Sequence, residues 1–401
     1  VKRGVLVVFA VAFLVRGGVL ASGMVPAAWI EPETRSEVGR VARSLAESGR
    51  YADGYAVPTG PTAHPLPLYT GTLGLLYRFL GMTYAAGVVR CLLGIALYSA
   101  MFAAIPWFAV RIGLGLRAGL LGGLAGALFP RFGAAEVLGW SGDEPLAALA
   151  MALLMGALAR RWGVGRCDPR GAVAIGLGFG IAFHAAPALL LVFFGSLLFE
   201  ALRCKDRARW RSLAAYLLGA ALACAPWTAR NLATFGEWFF LRSNVGLELR
   251  IAYHEGALPD MESMDLRRGG PERHPGVDRE EAQEVRDLGE MEYMRRARRE
   301  ALDWIAAHPG ESARLAGVRF LLFWFGPFAW FLTLLAALGA WHVLPNRSAA
   351  ERAAVLIPLA AYPLVYYGVT HMVRYTVPVG WILLLLAGAE ADHWIRRAES
   401  P

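Results

Sequence analysis

Between residues 31 and 69 the chain gathers side chains that can do chemistry. Glu31, Glu33, Glu37 and Glu47 stand among Thr, Arg and Ser, and His64 and Tyr69 follow in a Pro-rich run. A carboxylate in such a loop can take a proton from an attacking hydroxyl. The plainer use is a solvated loop charge. A second acidic pair, Asp143-Glu144, opens a later apolar run. Acids suit a helix N-terminus on electrostatic grounds alone, or they can contact a substrate or an ion. Arg230, Arg242 and Arg374 lie at the ends of apolar runs, and Tyr375 follows the last of them. Arginine holds phosphate with a planar, permanently charged fork. Its competing use at such places is snorkelling to lipid head groups. His64 and His371 can each bond a polar ligand oxygen or serve as structural histidines.

These groups need a scaffold, and the composition says which kind. Of 401 residues, 56% are hydrophobic and only 18% charged, against roughly 25% charged in soluble domains. Apolar runs fall at 4–20, 85–108, 118–133, 146–158, 172–183, 187–202, 213–227, 328–343, 353–369 and 377–391. That is about ten candidate spans of an all-α polytopic membrane protein, read as a single domain over 1–401. The net charge of +8 would suggest nucleic acid in a soluble protein. Here the cations cluster between runs, so the positive-inside rule accounts for them and no nucleic-acid partner is expected. Arg160, Arg161, Arg166 and Arg170 precede residues 172–202, and Arg203, Lys205, Arg207, Arg209 and Arg211 follow. If both clusters are cytoplasmic, the chain crosses twice between them, hinged near Pro187.

The same reasoning places both termini inside and three polar segments outside. These are the first loop within 31–84, the turn at 139–144, and a long segment over 230–326. Arg16 within the first run argues against a cleaved leader and is expected to pair, with a loop carboxylate as the candidate partner. Leu288, Met291, Met294, Ala297, Ala301, Trp304 and Ile305 recur at helical spacing beside a basic face. They predict a helix lying on the membrane surface. Residues 259–285, rich in Gly, Pro and charge without apolar periodicity, predict a flexible loop that orders when a ligand binds. The four cysteines show neither a disulfide framework nor a zinc spacing.

Several motifs together resemble the bacterial GT-C membrane glycosyltransferases, relatives of protein O-mannosyltransferases and of the lipid A aminoarabinose transferase. They are Glu37 ahead of Val41-Ala42-Arg43-Ser44-Leu45, Gly49-x-Tyr51, and Pro58 to Tyr69 with His64. Asp143-Glu144-Pro145-Leu146 follows, then Ala225-Pro226-Trp227 with Arg230-Asn231, and Leu241-Arg242-Ser243-Asn244. Gly289-Glu290-x-x-Tyr293, His308-Pro309, Tyr366-Tyr367 and Arg374-Tyr375 complete the set. The resemblance covers nearly the whole chain. It implies a GT-C fold, a polyprenyl-phosphate sugar donor, an acceptor lipid, glycan or protein, and transfer on the outer face of the cytoplasmic membrane by inverting displacement. By family register Glu37 is the expected base, with Glu33 second. Thr34-Arg35 stands where many relatives carry Asp-Glu.

Asp143, Glu144, His64, Tyr69, Arg230, Arg242, Arg374, Tyr375 and His371 are the expected substrate contacts. No cofactor is predicted. A divalent ion between Asp143 and Glu37 is conceivable, but no His cluster is legible to support it. A lipid or glycan transporter or flippase is the rival outside enzymes. A glycan ligase using a lipid diphosphate donor is the rival within them.

Overall fold

The computed structural model describes residues 1–32, 34–129, 143–165, 167–261, 274–326 and 329–399. Among these the protein is helical, with two isolated bridges, Ala52 to Pro61 and Asp260 to His371, in place of strands. The ten apolar runs fall on helices wherever their residues are described, except that 353–369 is divided between Ala349–Ala361 and the short turn of helix Leu364–Tyr367. Among the described residues five helices, fewer than the ten spans expected, are long and apolar enough to cross a membrane: Lys2–Ala21, Tyr84–Arg111, Asp143–Gly163, the long helix ending at Phe235, and the one ending at Glu399; the other apolar helices are shorter. A sixth crossing arises if the bent pair formed by Pro309–Phe325 and the helix that follows it is one span. The sequence reading had left Pro309–Phe325 in the outer loop. Residues 172–202 form two helices, Pro169–Phe183 and Leu189–Arg203, as the charge pattern requires.

Local signals fix the helix ends. Ser36, Thr83, Asp168 and Asp278 each accept a backbone N–H at their helix starts, which satisfies donors the helix leaves orphaned. Packing inside the bundle uses small residues, since lipid offers no hydrophobic drive between helices. A Cβ at Gly176 would meet the Tyr216 carbonyl at 2.2 Å, and one at Gly219 would meet the Val173 carbonyl at 2.3 Å. The Pro169–Phe183 and Asp206–Phe235 helices therefore touch backbone to backbone. The Val377–Glu399 helix runs through the core, with Trp381 edge-on to Phe108. Leu6, Leu14, Leu198, Leu202, Leu218 and Trp341 stay exposed, as lipid-facing side chains should.

Four sequence expectations meet a different arrangement. Arg16 is fully buried and donates to the Gly126 and Ala127 carbonyls at 3.0 and 2.9 Å. It caps the C-terminus of Leu116–Leu128, where a cation suits the helix dipole. Cys167 and Cys204, unpaired in the sequence reading, form a disulfide. The amphipathic helix Glu290–Ala307 buries Tyr293, Met294, Ala297 and Ala301. Its apolar face is covered by the Val245–Ala252 helix, because Gly246 lets the two backbones meet, and not by lipid alone. Of the expected flexible loop, 262–273 lies outside the described residues, whereas Arg279–Leu288 is a capped helix. Arg250 joins it to its neighbour through Glu281 at 2.7 Å. The turn at 139–142 also lies outside the described residues.

Candidate active site

The first loop forms one wall of a cavity of about 530 Å³. Ser36 caps the Glu37–Ser48 helix and so sets Glu37 on its first turn, facing the cavity. Glu37 Oε1 lies 3.5 Å from His274 Nδ1. That approach depends on Gly276, where a Cβ would stand 1.9 Å from Glu37 Oε1 and 2.9 Å from His274 Nδ1. The Gly276 N–H donates to His274 Nδ1 at 2.9 Å, which leaves Nε2 to carry the proton in the neutral ring. His64 is buried beside them, its ring 6.1 Å from that of His274, and its Nδ1 has no hydrogen-bond partner among the described residues. Burial holds the His64 imidazole well below its ordinary pKa, helped by the charge of Arg242. It therefore stays neutral. One ligand atom each from Glu37, His64 and His274 falls within 4.8 Å of the others. This is the histidine cluster that the sequence did not reveal.

The wall is held from behind by the later outward segment. Arg242 Nε donates to the His64 carbonyl at 2.6 Å. Arg230 donates to the Thr62 and Tyr51 carbonyls at 2.8 and 3.0 Å and packs over the Trp227 ring. Glu290 Oε1 accepts the Ala63 N–H at 2.8 Å and the Ser243 hydroxyl at 2.6 Å. Burial pushes the Glu290 carboxyl up, and these donors pull it part of the way back.

The facing wall comes from the core helices. Asp143 and Glu144 begin the Asp143–Gly163 helix, and both line the cavity. Glu144 pairs with Arg374 at 3.5 Å. Asp143 Oδ1 is buried without a hydrogen-bond partner among the described residues. The Tyr375 and Tyr366 rings stack at 4.4 Å, and Tyr366 bonds Tyr362 at 2.9 Å. Ala147, Ala185, Ala186 and Pro187 give the cavity a small-residue, apolar end. Glu37, Asp143, Glu144 and Glu248 thus share one space with Arg35, Arg242 and Arg374. Carboxylates, which can take a proton, face the same space as guanidinium groups, which can hold an anion.

Of the residues singled out from sequence, Glu37, His64, Tyr69, Asp143, Glu144, Arg242, Arg374 and Tyr375 line this cavity. Arg230 and His371 stand behind its walls. Arg230 spends its donors on loop carbonyls, and His371 is buried with its backbone bridged to Pro259 and Met261. Glu33 lies outside the described residues. Sequence reasoning missed His274, Glu248 and Tyr362. A signal for His274 existed in the Pro275-Gly276 turn directly after it.

No protein-family model matches the chain. No curated protein matches it either. Solved structures do. The chain is similar to the Archaeoglobus fulgidus oligosaccharyltransferase in complex with Zn and sulfate, with TM-score 0.56 and 13% identity, over 99% of this chain and 49% of that one. The apo form of the same enzyme aligns with TM-score 0.50 and 14% identity, over 99% and 51%. The chain spans about half the length of the structures it matches. At such identity the likeness establishes the fold: the all-helical GT-C architecture expected from the motifs is the one present.

Proposed function

We propose that this protein is a multi-pass membrane glycosyltransferase. It moves a sugar from a polyprenyl-phosphate donor to a lipid, glycan or protein acceptor at the outer face of the cytoplasmic membrane. The observation that carries this reading is convergence. Glu37, Asp143, Glu144, Arg242 and Arg374, chosen from widely separated motifs, line one cavity in a fold shared with an oligosaccharyltransferase. In the proposed reaction the acceptor hydroxyl attacks the anomeric carbon as Glu37 takes its proton. The bond to the phosphate oxygen breaks, and Arg242 and Arg374 receive the departing phosphate. Tyr69 and Tyr375 flank the sugar. Arg230 and Glu290 act as positioning residues, because they hold the backbone of residues 62–64 in place.

A second reading of Glu37 rests on the triad it forms with His64 and His274. Neutral imidazoles and a carboxylate suit a borderline divalent ion such as zinc, and the buried, unpartnered Nδ1 of His64 fits a ligand role. An ion there would supply positive charge beside the donor phosphate. Asp143 would then be the group left to take the proton.

The test is sugar transfer in proteoliposomes from radiolabelled polyprenyl-phosphate sugars, with polyprenyl-diphosphate sugars compared. Glu37→Gln, Asp143→Asn and chelator-treated wild type are run in parallel. Loss in folded Glu37→Gln with indifference to chelator assigns the base. Loss with chelator, restored by zinc or manganese, assigns the ion. Transfer surviving in Glu37→Gln without metal dependence moves the base to Asp143 or Glu33. Wild-type transfer only from diphosphates makes it a glycan ligase, and no transfer from any donor favours the transporter.

A further inference from the structure

The helix that begins with Asp143 in the cavity ends about 30 Å away, at Arg161 and Trp162. A second polar cluster sits there. Glu200, fully buried, accepts from Arg161 and Arg203 at 3.0 Å each, from Trp162 at 2.8 Å and from Ser212 at 2.6 Å. Against this cluster the Cys167–Cys204 disulfide ties the connection before the Pro169–Phe183 helix to the one after Leu189–Arg203. Cys204 is 1% exposed, whereas Cys167 is only partly buried.

Compartment and bond are at odds. This end carries Arg160, Arg161, Arg170, Arg203, Lys205, Arg207, Arg209 and Arg211, and such a concentration of cations marks the cytoplasmic side. Cytoplasmic thiols are kept reduced, and the disulfides found there are mostly transient or redox-sensing. A permanent staple fits only an oxidising compartment. The site's own chemistry supports reversibility. The partly exposed Cys167 sulfur is the one that a solvent thiolate can reach. The Cys204 sulfur, 3.6 Å from Glu200 Oε1, is placed to donate a hydrogen bond to that carboxylate once it carries a proton.

We propose that Cys167 and Cys204 are a reversible thiol–disulfide couple on the cytoplasmic face, a redox modification site remote from the cavity. A dithiol reductant attacks Cys167 as a thiolate. A mixed disulfide forms, the Cys167–Cys204 bond breaks, and Cys204 leaves as a thiolate that takes a proton from water. The reductant's second thiol, as its thiolate, then attacks the mixed disulfide. Cys167 leaves and is protonated, and the reductant departs as a disulfide. Two electrons and two protons have entered the protein. An oxidant of the diazene-dicarboxamide class (diamide) reverses the change. The inference does not depend on the glycosyl-transfer reading.

Cells expressing the full chain are quenched in acid, denatured and labelled with a maleimide polymer that retards the protein once per free thiol. The expected result is four labels before oxidant, matching the four cysteines. Two should be lost within minutes of diamide and regained after a dithiol. Cys167→Ser and Cys204→Ser should each hold three labels throughout. Either variant suffices if the other fails to fold. A bond present before oxidant and untouched by a permeant dithiol in living cells overturns the proposal in favour of a static staple. Four labels persisting after diamide overturn it as well, whether the thiols are free or hold a metal.

Discussion

Gly276→Ala is the sharpest perturbation of the site, because it acts on Glu37 without touching it chemically. The φ of Gly276 lies outside the left-handed region, so the backbone tolerates alanine. The new Cβ, however, would stand 1.9 Å from Glu37 Oε1. The carboxylate must retreat by about 1.5 Å to regain ordinary van der Waals contact. It is the free end of a flexible side chain, so it can move and the fold should survive. Misplacing a catalytic group by about 1 Å can cost on the order of 10²-fold in rate, equivalent to about 2.7 kcal/mol of barrier. We expect transfer from polyprenyl-phosphate sugar in proteoliposomes to fall about 100-fold, with the unfolding midpoint in detergent nearly unchanged. Gly310→Ala, at an outer helix where a Cβ meets nothing within 4 Å, should keep the wild-type rate. A folded Gly276→Ala protein working at the wild-type rate would refute the assignment of Glu37 to the chemistry under either reading.

Other outcomes are expected. Arg374→Ala should raise KM for the lipid donor by about 10- to 100-fold, the worth of one charged hydrogen bond of roughly 1.5–3 kcal/mol; an unchanged KM removes Arg374 from the phosphate. Arg242→Ala should lower kcat as well, since the same side chain holds the His64 carbonyl. Glu290→Ala strands the Ala63 N–H and the Ser243 hydroxyl and should destabilise by about 2–4 kcal/mol, read from thermal unfolding; Glu290→Gln keeps an acceptor and should lose less than half of that. Burial pushes His371 down to about 4. The unfolded chain then takes up this proton near pH 6.5 and the folded one does not. Stability present above pH 6.5 should therefore fall by up to about 3 kcal/mol as pH drops to 4. His371→Gln should abolish that component of the pH dependence, and an identical profile for the variant shows that His371 titrates normally.

The helical character of the apolar runs was legible because long apolar stretches punctuated by arginine can be little else in a chain this hydrophobic, but their number as spans was not: five helices among the described residues, or six with the bent pair, have the length that ten apolar runs suggested. The cavity walls were legible where chemistry and position coincide, as at Glu37, Asp143-Glu144 and Arg374-Tyr375. What hid the rest was distance along the chain. His274 reaches Glu37 from a segment whose composition shows no periodicity, so nothing local announces it. The two cysteines that bond are 37 residues apart, without a motif and amid cations that argue for a reducing compartment. The amphipathic stripe of Glu290–Ala307 announces an apolar face, which the sequence assigns to the membrane surface and the fold buries against protein. Periodicity cannot say what buries it, and Gly246 on another helix decides that.

The grip on residues 62–64 has a consequence in time. Arg230, Arg242 and Glu290 hold the backbone of these residues from 168 to 227 positions further along the chain. Synthesis at about 5–20 residues per second leaves the first loop made but ungripped for roughly 10–45 s. During that interval no partial chain has a finished wall. The wall is complete only once Glu290 has been made, and truncations before it should leave residues 62–64 unheld, read as faster proteolysis of the first loop.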